Sequence, residues 1–424
     1  MLALLVTALL AAAQPPDCTV VRTERLPVPA VRARLEAAAA MPMAECLDAE
    51  LAAQPMPYAA GDAALVAWLG DADSVQIAGD MTGWRPEPME RVALDGRDDA
   101  LWLATLALPP AARVDYKLVV DGDWIRDPRN PHVQAAGTGG LNSELRMPAW
   151  TVAPETVPRA GVAASTLTPP DTLHSAALGA PVVVRVLVPP GVAASPLHLG
   201  AGGGGPGPLR LVVATDGHEY ADPALGALPT VLDNLRADGA LADVLVVLVD
   251  PRWEGVNRRE SLLVDNDGFA DFVAAELVPA VEAAYPVAHG REHRAILGTS
   301  LGGLFAATLG ARHPDVFGNL VIQSPAFWVG AGADAETGGF TDRRFGGWAG
   351  PSVYDRLAGT ATPLRISMST GTIRDTEDGA RRMRDALDGT AHALVYREVP
   401  EGHSWGQWRA LVGRQLVDVF GGGE

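Results

Sequence analysis

The sequence predicts an all-β immunoglobulin-like sandwich followed by an α/β domain, a mostly parallel sheet with helices on both faces. Short β-forming runs separated by turn residues occupy positions 58–150, a pattern typical of a sandwich. Beyond position 178, wholly apolar runs such as Val244–Val249 alternate with helical segments, which is typical of a parallel sheet covered on both faces. A chain of 424 residues is long enough for two such domains.

These patterns divide the chain into five predicted segments. They are, in chain order, a signal peptide (1–13), an N-terminal helical segment (14–57), the β-sandwich (58–150), a linker rich in Pro, Ala and Thr (151–177) and the α/β domain (178–424). Within the helical segment, the Ala-, Glu- and Leu-rich stretch 32–53 predicts one helix.

The first residues predict export. Leu2–Ala13 is an apolar run that ends in small residues, as a secretory signal peptide does, and it is too short to span a bilayer. No Lys or Arg precedes the run, so an apolar N-terminal helix or a misplaced start codon is the alternative. Export implies a secreted or periplasmic protein.

Charge and cysteine content exclude several classes of partner. With 33 Lys and Arg against 51 Asp and Glu, the net charge of −18 repels nucleic acid and anionic lipid, and no later run predicts a membrane span. The two cysteines, Cys18 and Cys46, cannot complete a four-ligand zinc site. In an exported chain they are expected to form a disulfide, and in a cytoplasmic chain they would be two thiols. We expect neither a metal nor a cofactor.

The sharpest motif is the G-x-S-x-G string of Gly298–Gly303, centred on Ser300. It follows a predicted strand at 294–297 and precedes a predicted helix at 304–312, the context in which this motif forms a nucleophile elbow of the α/β-hydrolase fold. Such a turn exposes the serine hydroxyl above the sheet and points the backbone N–H of Leu301 at a developing oxyanion. The alternative is an ordinary glycine-rich turn.

A nucleophilic serine needs a base and an acid that orients the base, and in this fold both follow the serine in the chain. His403 lies in a loop between the last predicted strand and the last predicted helix, where the base belongs, whereas His313 ends a predicted helix. Asp375 follows the strand predicted at 364–369 and is the expected acid, with Glu377 as the alternative. Both carboxylates could instead serve only as the start of the next helix.

Other residues are expected around the same site. Gly217 or His218 would supply the second oxyanion N–H, and His218 could instead contact the substrate. Arg259 would bind a polar substrate or form a structural ion pair. Trp328 and Trp405 would face an aromatic acyl group or pack in the core.

Four strings resemble the esterase D-like hydrolases, in particular the branch that contains the enterochelin (enterobactin) esterases. They are 215–220, 298–303, 323–328 and 402–408. The resemblance covers residues 171–420 and implies a triad of Ser300, Asp375 and His403 with no metal. It also places Tyr220 among the substrate-binding residues. Thr372 departs from the family pattern and shifts the alignment of the acid.

The N-terminal domain resembles a different family, the glycogen-binding (E-set) type of carbohydrate-binding module. The resemblance is carried by 79–84, 115–117, 120–124 and 141–143. It implies that a glycan is contacted by Trp84, Lys117, Trp124 and Asn142. The alternative is a scaffold that only covers the hydrolase site.

Together these features predict a serine carboxylic-ester hydrolase that acts through an acyl-enzyme on a small-molecule or oligosaccharide ester. One expected substrate is a catecholate siderophore ester, and another is an acetyl or feruloyl ester on plant polysaccharide. A non-catalytic carbohydrate-binding protein with a degenerate hydrolase domain is the alternative from a different class. An acyltransferase is also compatible with the same residues.

Overall fold

The computed structural model describes residues 25–44, 46–200, 205, 207–330 and 350–421. The predicted signal peptide and Cys18 lie outside the described residues, whereas Cys46 is described and is disulfide-bonded. Within these ranges, no helix combines the length and the apolar character that crossing a membrane requires.

Two helices stand where the sequence predicted one over 32–53. They are α1 (Val28–Ala39) and α2 (Leu47–Ala53), separated by a 3₁₀ helix at Pro42–Ala44. Proline in a helix interior removes a backbone donor and clashes with the preceding turn, and Met43 next to it has a φ of 54°. The single predicted helix is therefore wrong, because Pro42 ends α1 and the chain turns before α2.

Ten strands follow, all paired antiparallel. They are β1 (Tyr58–Ala60), β2 (Ala63–Gly70), β3 (Val75–Gly79), β4 (Glu87–Pro88), β5 (Glu90–Ala93), β6 (Ala100–Ala107), β7 (Arg113–Val120), β8 (Asp123–Ile125), β9 (Val133–Ala135) and β10 (Leu141–Arg146). One sheet has the order β1-β2-β6-β5, and the other has the order β4-β3-β7-β10-β9, with β8 paired to β7.

The four-stranded sheet is sandwiched between the two helices and the second sheet. Along β2, Leu65 and Ala67 pack with the helices, while Ala64 and Val66 pack with the second sheet. Successive side chains of a strand point to opposite faces, so this strand is apolar on both faces because both are covered. The resulting N-terminal region, residues 25–150, has two hydrophobic cores, one on each side of this sheet.

The segment 151–177, predicted as a linker, contributes to the next sheet. It contains a 3₁₀ helix at Pro154–Thr156, β11 (Thr166–Leu167) and β12 (Asp171–Ser175). The side-chain amide of Asn234 donates to the backbone carbonyls of Glu155 (2.8 Å) and Val157 (2.9 Å). The Pro-rich composition therefore marks a segment that is packed against the following domain.

The C-terminal region, residues 178–421, is built on strands that join β11 and β12 in one sheet. They are β13 (Ala180–Val188), β14 (Arg210–Ala214), β15 (Val244–Asp250), β18 (Arg294–Thr299), β19 (Asn319–Gln323), β20 (Arg365–Gly371) and β21 (Ala393–Val399), with β16 (Arg252–Trp253) and β17 (Val256–Asn257) as a separate hairpin. The order is β11-β13-β15-β14-β18-β19-β20-β21, with β12 paired to β13. From β15 onward the neighbours are parallel.

Helices cover both faces of this sheet, as the alternating pattern predicted. They are α3 (Gly217–Ala221), α4 (Leu228–Ala237), α5 (Arg259–Leu263), α6 (Asp267–Asp271), a π-helical turn at Phe272–Leu277, α7 (Val278–Ala284), a 3₁₀ helix at Arg291–His293, α8 (Leu301–Arg312), α9 (Val353–Ala358), α10 (Glu377–Leu387) and α11 (Trp405–Phe420). The apolar residues of α4 and α11 pack on one face, and those of α5 through α10 pack on the other. The carboxyl ends of the parallel strands therefore meet at one edge, where ligands bind in sheets of this kind.

Candidate active site

Ser300 forms the sharp turn between β18 and α8. Its φ of 57° and ψ of −116° lie in a region that non-glycine residues rarely adopt. Its backbone N–H donates to the carbonyl of Gln323 (2.9 Å), and its own carbonyl accepts from Ala326 (3.0 Å) and Leu304 (3.1 Å). Main-chain hydrogen bonds on both sides therefore hold the strained turn.

The glycines around Ser300 are required by close backbone contacts. A methyl group at Gly298 would lie 2.1 Å from the carbonyl oxygen of Gly302, and one at Gly302 would lie 2.2 Å from the hydroxyl of Thr215. Only glycine fits such approaches. Leu301 is the first residue of α8, so its N–H belongs to the free N–H groups at a helix N-terminus, where negative charge is favoured.

Asp375 and His403 meet at the same edge of the sheet. His403 Nδ1 lies 2.5 Å from Asp375 Oδ1. The other oxygen, Oδ2, accepts from the N–H of Gly371 (2.6 Å), the hydroxyl of Ser324 (2.6 Å) and the amide of Gln407 (3.1 Å). The Asp375 side chain is fully buried, whereas that of His403 is 34% exposed. The geometry gives an imidazole that the Asp375 carboxylate holds at Nδ1 and that stays partly exposed.

Burial alone would raise the pKa of the Asp375 carboxyl. The positive charge of His403 and the hydrogen bonds from His403, Ser324 and Gly371 outweigh burial, so this pKa lies below its usual value. The carboxylate therefore stays ionised at neutral pH and can stabilise a protonated imidazole.

Glu377, the alternative acid, is the first residue of α10. Within the described chain, its Oε2 has no hydrogen-bond partner, and no bond joins it to His403. The structure therefore brings Asp375, and not Glu377, to the imidazole.

Ser324 and Gln407 are site residues that sequence reasoning missed. The indole N–H of Trp408 donates to the Ser324 hydroxyl (2.9 Å), and the Trp408 ring packs edge-on against the imidazole of His403 at 4.9 Å. Gln407 also donates to the carbonyl of Gly402 (3.0 Å). Both lie within the strings quoted for the family resemblance, but nothing in those strings indicates that they contact a carboxylate.

A cleft of about 1250 Å³ lies between the two regions and contains the site. Ser300, Leu301 and His403 line it on the side of the C-terminal region. The facing wall comes from the N-terminal region and includes all four residues of the predicted sugar site: Trp84, Lys117, Trp124 and Asn142. Trp124 is 47% exposed, so its ring is available to a ligand.

The residues predicted to give the second oxyanion donor do not line the cleft. Gly217 is buried, and a methyl group on it would lie 2.5 Å from the backbone of Leu248. His218 is exposed outside the cleft. The neighbouring Asp216, which precedes α3 with a φ of 53°, does line it.

Arg259 forms the ion pair that was one of its two interpretations. Its guanidinium contacts both oxygens of Asp216 (2.7 and 2.8 Å) and donates to the carbonyl of Thr299 (3.0 Å). Because Thr299 precedes Ser300, this pair ties the loop before α3 to the nucleophile turn. Arg259 also lines the cleft.

Tyr220 and Trp328, two of the predicted substrate-binding residues, do not line the cleft. Tyr220 is fully buried, and its hydroxyl donates to the side chain of Gln323 at 2.7 Å. Trp328 packs against the core on the α8 side of the sheet and does not line the cleft. Trp405 does line the cleft, with its ring edge-on to Tyr220 at 5.1 Å. Tyr220 and Trp328 therefore pack in or against the core in this structure, and their contact with a substrate stays a prediction.

Glu219 is a further cleft residue that the sequence did not indicate. Its Oε2 is buried without a hydrogen-bond partner in the part of the chain that the structure describes. Burial, followed by the charge of Asp216, raises the pKa of Glu219 to about 7. The described residues contain no group of three or more His, Cys, Asp or Glu side chains arranged to hold a metal ion.

Comparison with known proteins agrees with this architecture. Residues 175–418, more than half of the chain, match the Esterase family model. The iron(III) enterobactin esterase of Escherichia coli K12 is 29% identical over 216 residues, which are 50% of this chain and 49% of that protein. An uncharacterized protein of Bacillus subtilis, YjcH, is 23% identical over 206 residues, 48% of this chain and 81% of that protein. The chain thus aligns with about half the length of the enterobactin esterase.

A solved structure extends the likeness to most of the chain. The crystal structure of the enterobactin esterase from Shigella flexneri in the presence of enterobactin superposes with a TM-score of 0.63 at 21% identity. The superposition covers 85% of this chain and 93% of that one. It shows a shared α/β-hydrolase fold, preceded in this chain by antiparallel sheets.

Proposed function

The chain belongs to the Esterase family of carboxylic-ester hydrolases, and we propose that it cleaves esters through an acyl-enzyme formed on Ser300. The observation that carries this proposal is the 2.5 Å contact between His403 and Asp375, at a cleft that Ser300 also lines. A strained serine that shares a cleft with an imidazole oriented by a buried carboxylate has the groups with which such sites activate a hydroxyl nucleophile.

In the proposed reaction, His403 Nε2 removes the proton of the Ser300 hydroxyl as the oxygen attacks the ester carbonyl. The N–H of Leu301 stabilises the oxyanion of the tetrahedral intermediate. The intermediate collapses by breaking the bond to the alcohol oxygen, and that oxygen takes the proton from His403. Water then attacks the acyl-enzyme with His403 again as base, releasing the acid and restoring Ser300. Asp375 remains ionised and stabilises the imidazolium in both steps.

For the substrate, we propose a catecholate siderophore ester. The relatives named iron(III) enterobactin esterase support this choice, as does a cleft whose volume exceeds the range usual for a single small ligand. The indole rings of Trp84, Trp124 and Trp405 on its walls suit aromatic rings.

The second candidate is an acetyl or feruloyl ester on a glycan. It is favoured by one observation, that Trp84, Lys117, Trp124 and Asn142 all line the cleft that contains Ser300. Indole faces stack on sugar rings, while Lys and Asn supply hydrogen bonds. In this proposal the two antiparallel sheets form an immunoglobulin-like sandwich whose glycan site is one wall of the active site.

A side-by-side assay separates the two substrates. Purified protein is incubated with ferric enterobactin and with feruloylated arabinoxylan oligosaccharides, and Ser300→Ala serves as the control for each. Release of dihydroxybenzoylserine supports the siderophore proposal, and release of ferulate supports the glycan proposal. If a fluorophosphonate probe fails to label Ser300 in the folded protein, the non-catalytic alternative is favoured.

We further propose that the chain is exported, in keeping with its apolar first residues. Expression of the full-length gene followed by mass spectrometry of the mature protein tests this. A new N-terminus near residue 14 in the periplasm or medium is the expected result. Full-length chain confined to the cytoplasm contradicts it.

A further inference from the structure

Arg113, the first residue of β7, is a buried cation at the boundary between the two regions. Its side chain is 1% exposed. Within the N-terminal region, the guanidinium contacts Asp115 (2.8 Å), Glu144 (3.2 Å) and Gln134 (3.3 Å). A buried arginine is tolerated only when its charge and its five donors are satisfied, so these contacts hold the side chain in one orientation.

The same guanidinium reaches the loop that carries His403. It donates to the hydroxyl of Ser404 (2.9 Å) and lies 3.5 Å from the carboxylate of Glu401. The backbone N–H of Arg113 donates to the carbonyl of Pro400 (3.2 Å), so both the main chain and the side chain of Arg113 bind the same loop. In the sequence, His403 lies between Glu401 and Ser404, the two residues of this loop whose side chains Arg113 contacts.

The contact with Arg113 changes the capping of α11 at Ser404. It occupies the N-cap position, where a serine hydroxyl usually accepts from the first backbone N–H groups of the helix. Here the hydroxyl makes no such bond and instead accepts from Arg113. The orientation of the residue next to His403 is therefore set by a side chain of the N-terminal region.

A glycine on each side of His403, Gly402 and Gly406, allows this loop to pack closely on the N-terminal region. A methyl group at Gly406 would lie 2.1 Å from the Arg113 guanidinium carbon, and one at Gly402 would lie 2.1 Å from the Asp80 carboxyl carbon. Asp80 also belongs to the N-terminal region, and its carboxylate accepts from the N–H of Asp115 at 2.8 Å. Backbone before and after His403 thus packs directly on two buried side chains of that region, Asp80 and Arg113.

We propose that Arg113 is a positioning residue for His403, so that the N-terminal region is a working part of the catalytic site. The inference rests on the proposed function, in which His403 is the base. Arg113 holds the Pro400–Trp405 loop so that the imidazole presents its free nitrogen to Ser300 while its other nitrogen stays on Asp375. Small displacements of a catalytic group lower the rate without necessarily weakening substrate binding.

The test compares Arg113→Gln and Arg113→Lys in the full chain, with 4-nitrophenyl butyrate as substrate. Rates are normalised to the amount of Ser300 that a fluorophosphonate labels at completion, so misfolded protein does not count. The expected kcat of Arg113→Gln is lower by about 10²-fold, with KM unchanged within the error. Arg113→Lys keeps the charge and should recover part of the kcat.

Arg397→Gln is the matched control. Arg397 also makes a bidentate ion pair, with Asp418, but the pair lies on β21 and α11 away from the cleft. Its loss should lower thermal stability and leave the normalised kcat as in the wild type. If Arg397→Gln lowers the normalised kcat as much as Arg113→Gln does, Arg113 has no specific role and the inference is overturned.

Arg113→Gln leaves several buried carboxylates without their cation and could fail to fold, so Ser404→Ala provides a second route. It removes only the hydroxyl that Arg113 holds, and a kcat several-fold below wild type with unchanged KM supports the inference. Normal kcat in Ser404→Ala and in a folded Arg113→Gln overturns it, while inactive Ser300→Ala keeps the proposed function intact. An active Ser300→Ala overturns both.

Discussion

The nucleophile and the base are positioned differently, Ser300 by main-chain contacts and His403 by side-chain contacts. On the nucleophile side, backbone hydrogen bonds with Gln323, Leu304 and Ala326, together with close contacts of the flanking glycines, position Ser300. On the base side, His403 sits in a loop held by side chains: Asp375 and Gln407 from its own region, and Arg113 from the other. The main chain around Ser300 thus positions the nucleophile, whereas the loop of the base is held at Ser404 by Arg113, which lies 291 positions before Ser404.

The largest effect is expected on the nucleophile side. Ser300→Ala removes the attacking oxygen, so kcat for 4-nitrophenyl butyrate should fall by about 10⁴-fold or more. Circular dichroism should show an unchanged fold, because the backbone bonds of residue 300 remain. Activity close to that of the wild type would falsify the assignment of this turn as the nucleophile.

On the base side, Asp375→Asn is expected to lower kcat by about 10³–10⁴-fold. A neutral amide neither stabilises the imidazolium nor holds the same tautomer of His403. Glu377→Gln is the control, since Glu377 makes no bond to the imidazole in the described structure, and its kcat should match the wild type. Equal losses in both variants would mean that the acid is shared, and the base side would then be more loosely organised than the structure indicates.

A smaller effect is expected where the two regions meet. In Gly402→Ala the added methyl group would overlap the carboxyl of Asp80, so the loop must shift and carry His403 with it. We expect kcat to fall by about 10-fold or more. Gly379→Ala is the matched control, because its methyl group would be at an ordinary 3.4 Å from Tyr354 and alanine favours a helix. An unchanged kcat in Gly402→Ala would show that side-chain packing on the base side adapts easily.

The last prediction concerns how the free energy of unfolding depends on pH through Glu219, which lines the same cleft as Ser300. Burial and Asp216 raise the pKa of Glu219 to about 7, above the value near 4.5 expected in the unfolded chain. Ionisation therefore costs the folded protein stability progressively as pH rises from about 4.5 to about 7, and the full cost remains above that. Glu219→Gln cannot ionise, so it should be more stable than wild type at pH 8.5, by about 1–3 kcal/mol, and should lose this advantage near pH 4.5.

Urea unfolding at both pH values measures this difference in the free energy of unfolding. The exposed Glu260, which also lines the cleft, gives the control Glu260→Gln, which should show no such pH-dependent gain. A constant difference between Glu219→Gln and wild type at all pH values would mean that the Glu219 carboxylate is not penalised in the cleft.

Local sequence patterns were sufficient for the parts of the molecule that local backbone determines. The strand, glycines and helix around Ser300 are contiguous, and the structure brings His403 to Asp375, the acid that the order of elements favoured. Arg113 and Ser324 could not be recognised, because their roles arise from contacts between distant segments. The hydrogen bond from Tyr220 to Gln323 could not be anticipated for the same reason, since the two residues are 103 positions apart.

The pairing of Arg113 with Glu401 also bears on how such a protein can be recombined. Domain shuffling and engineered chimeras assume that a module can be cut at its linker and replaced by another. Here the segment 151–177 supplies strands to the sheet of the C-terminal region. Glycines stand on both sides of His403, where a larger residue would overlap Asp80 or Arg113. A module grafted in place of the N-terminal region must therefore supply residues equivalent to Arg113 and Asp80. Without them, a chimera joined at residue 150 would leave the loop of His403 without the side chains on which it packs.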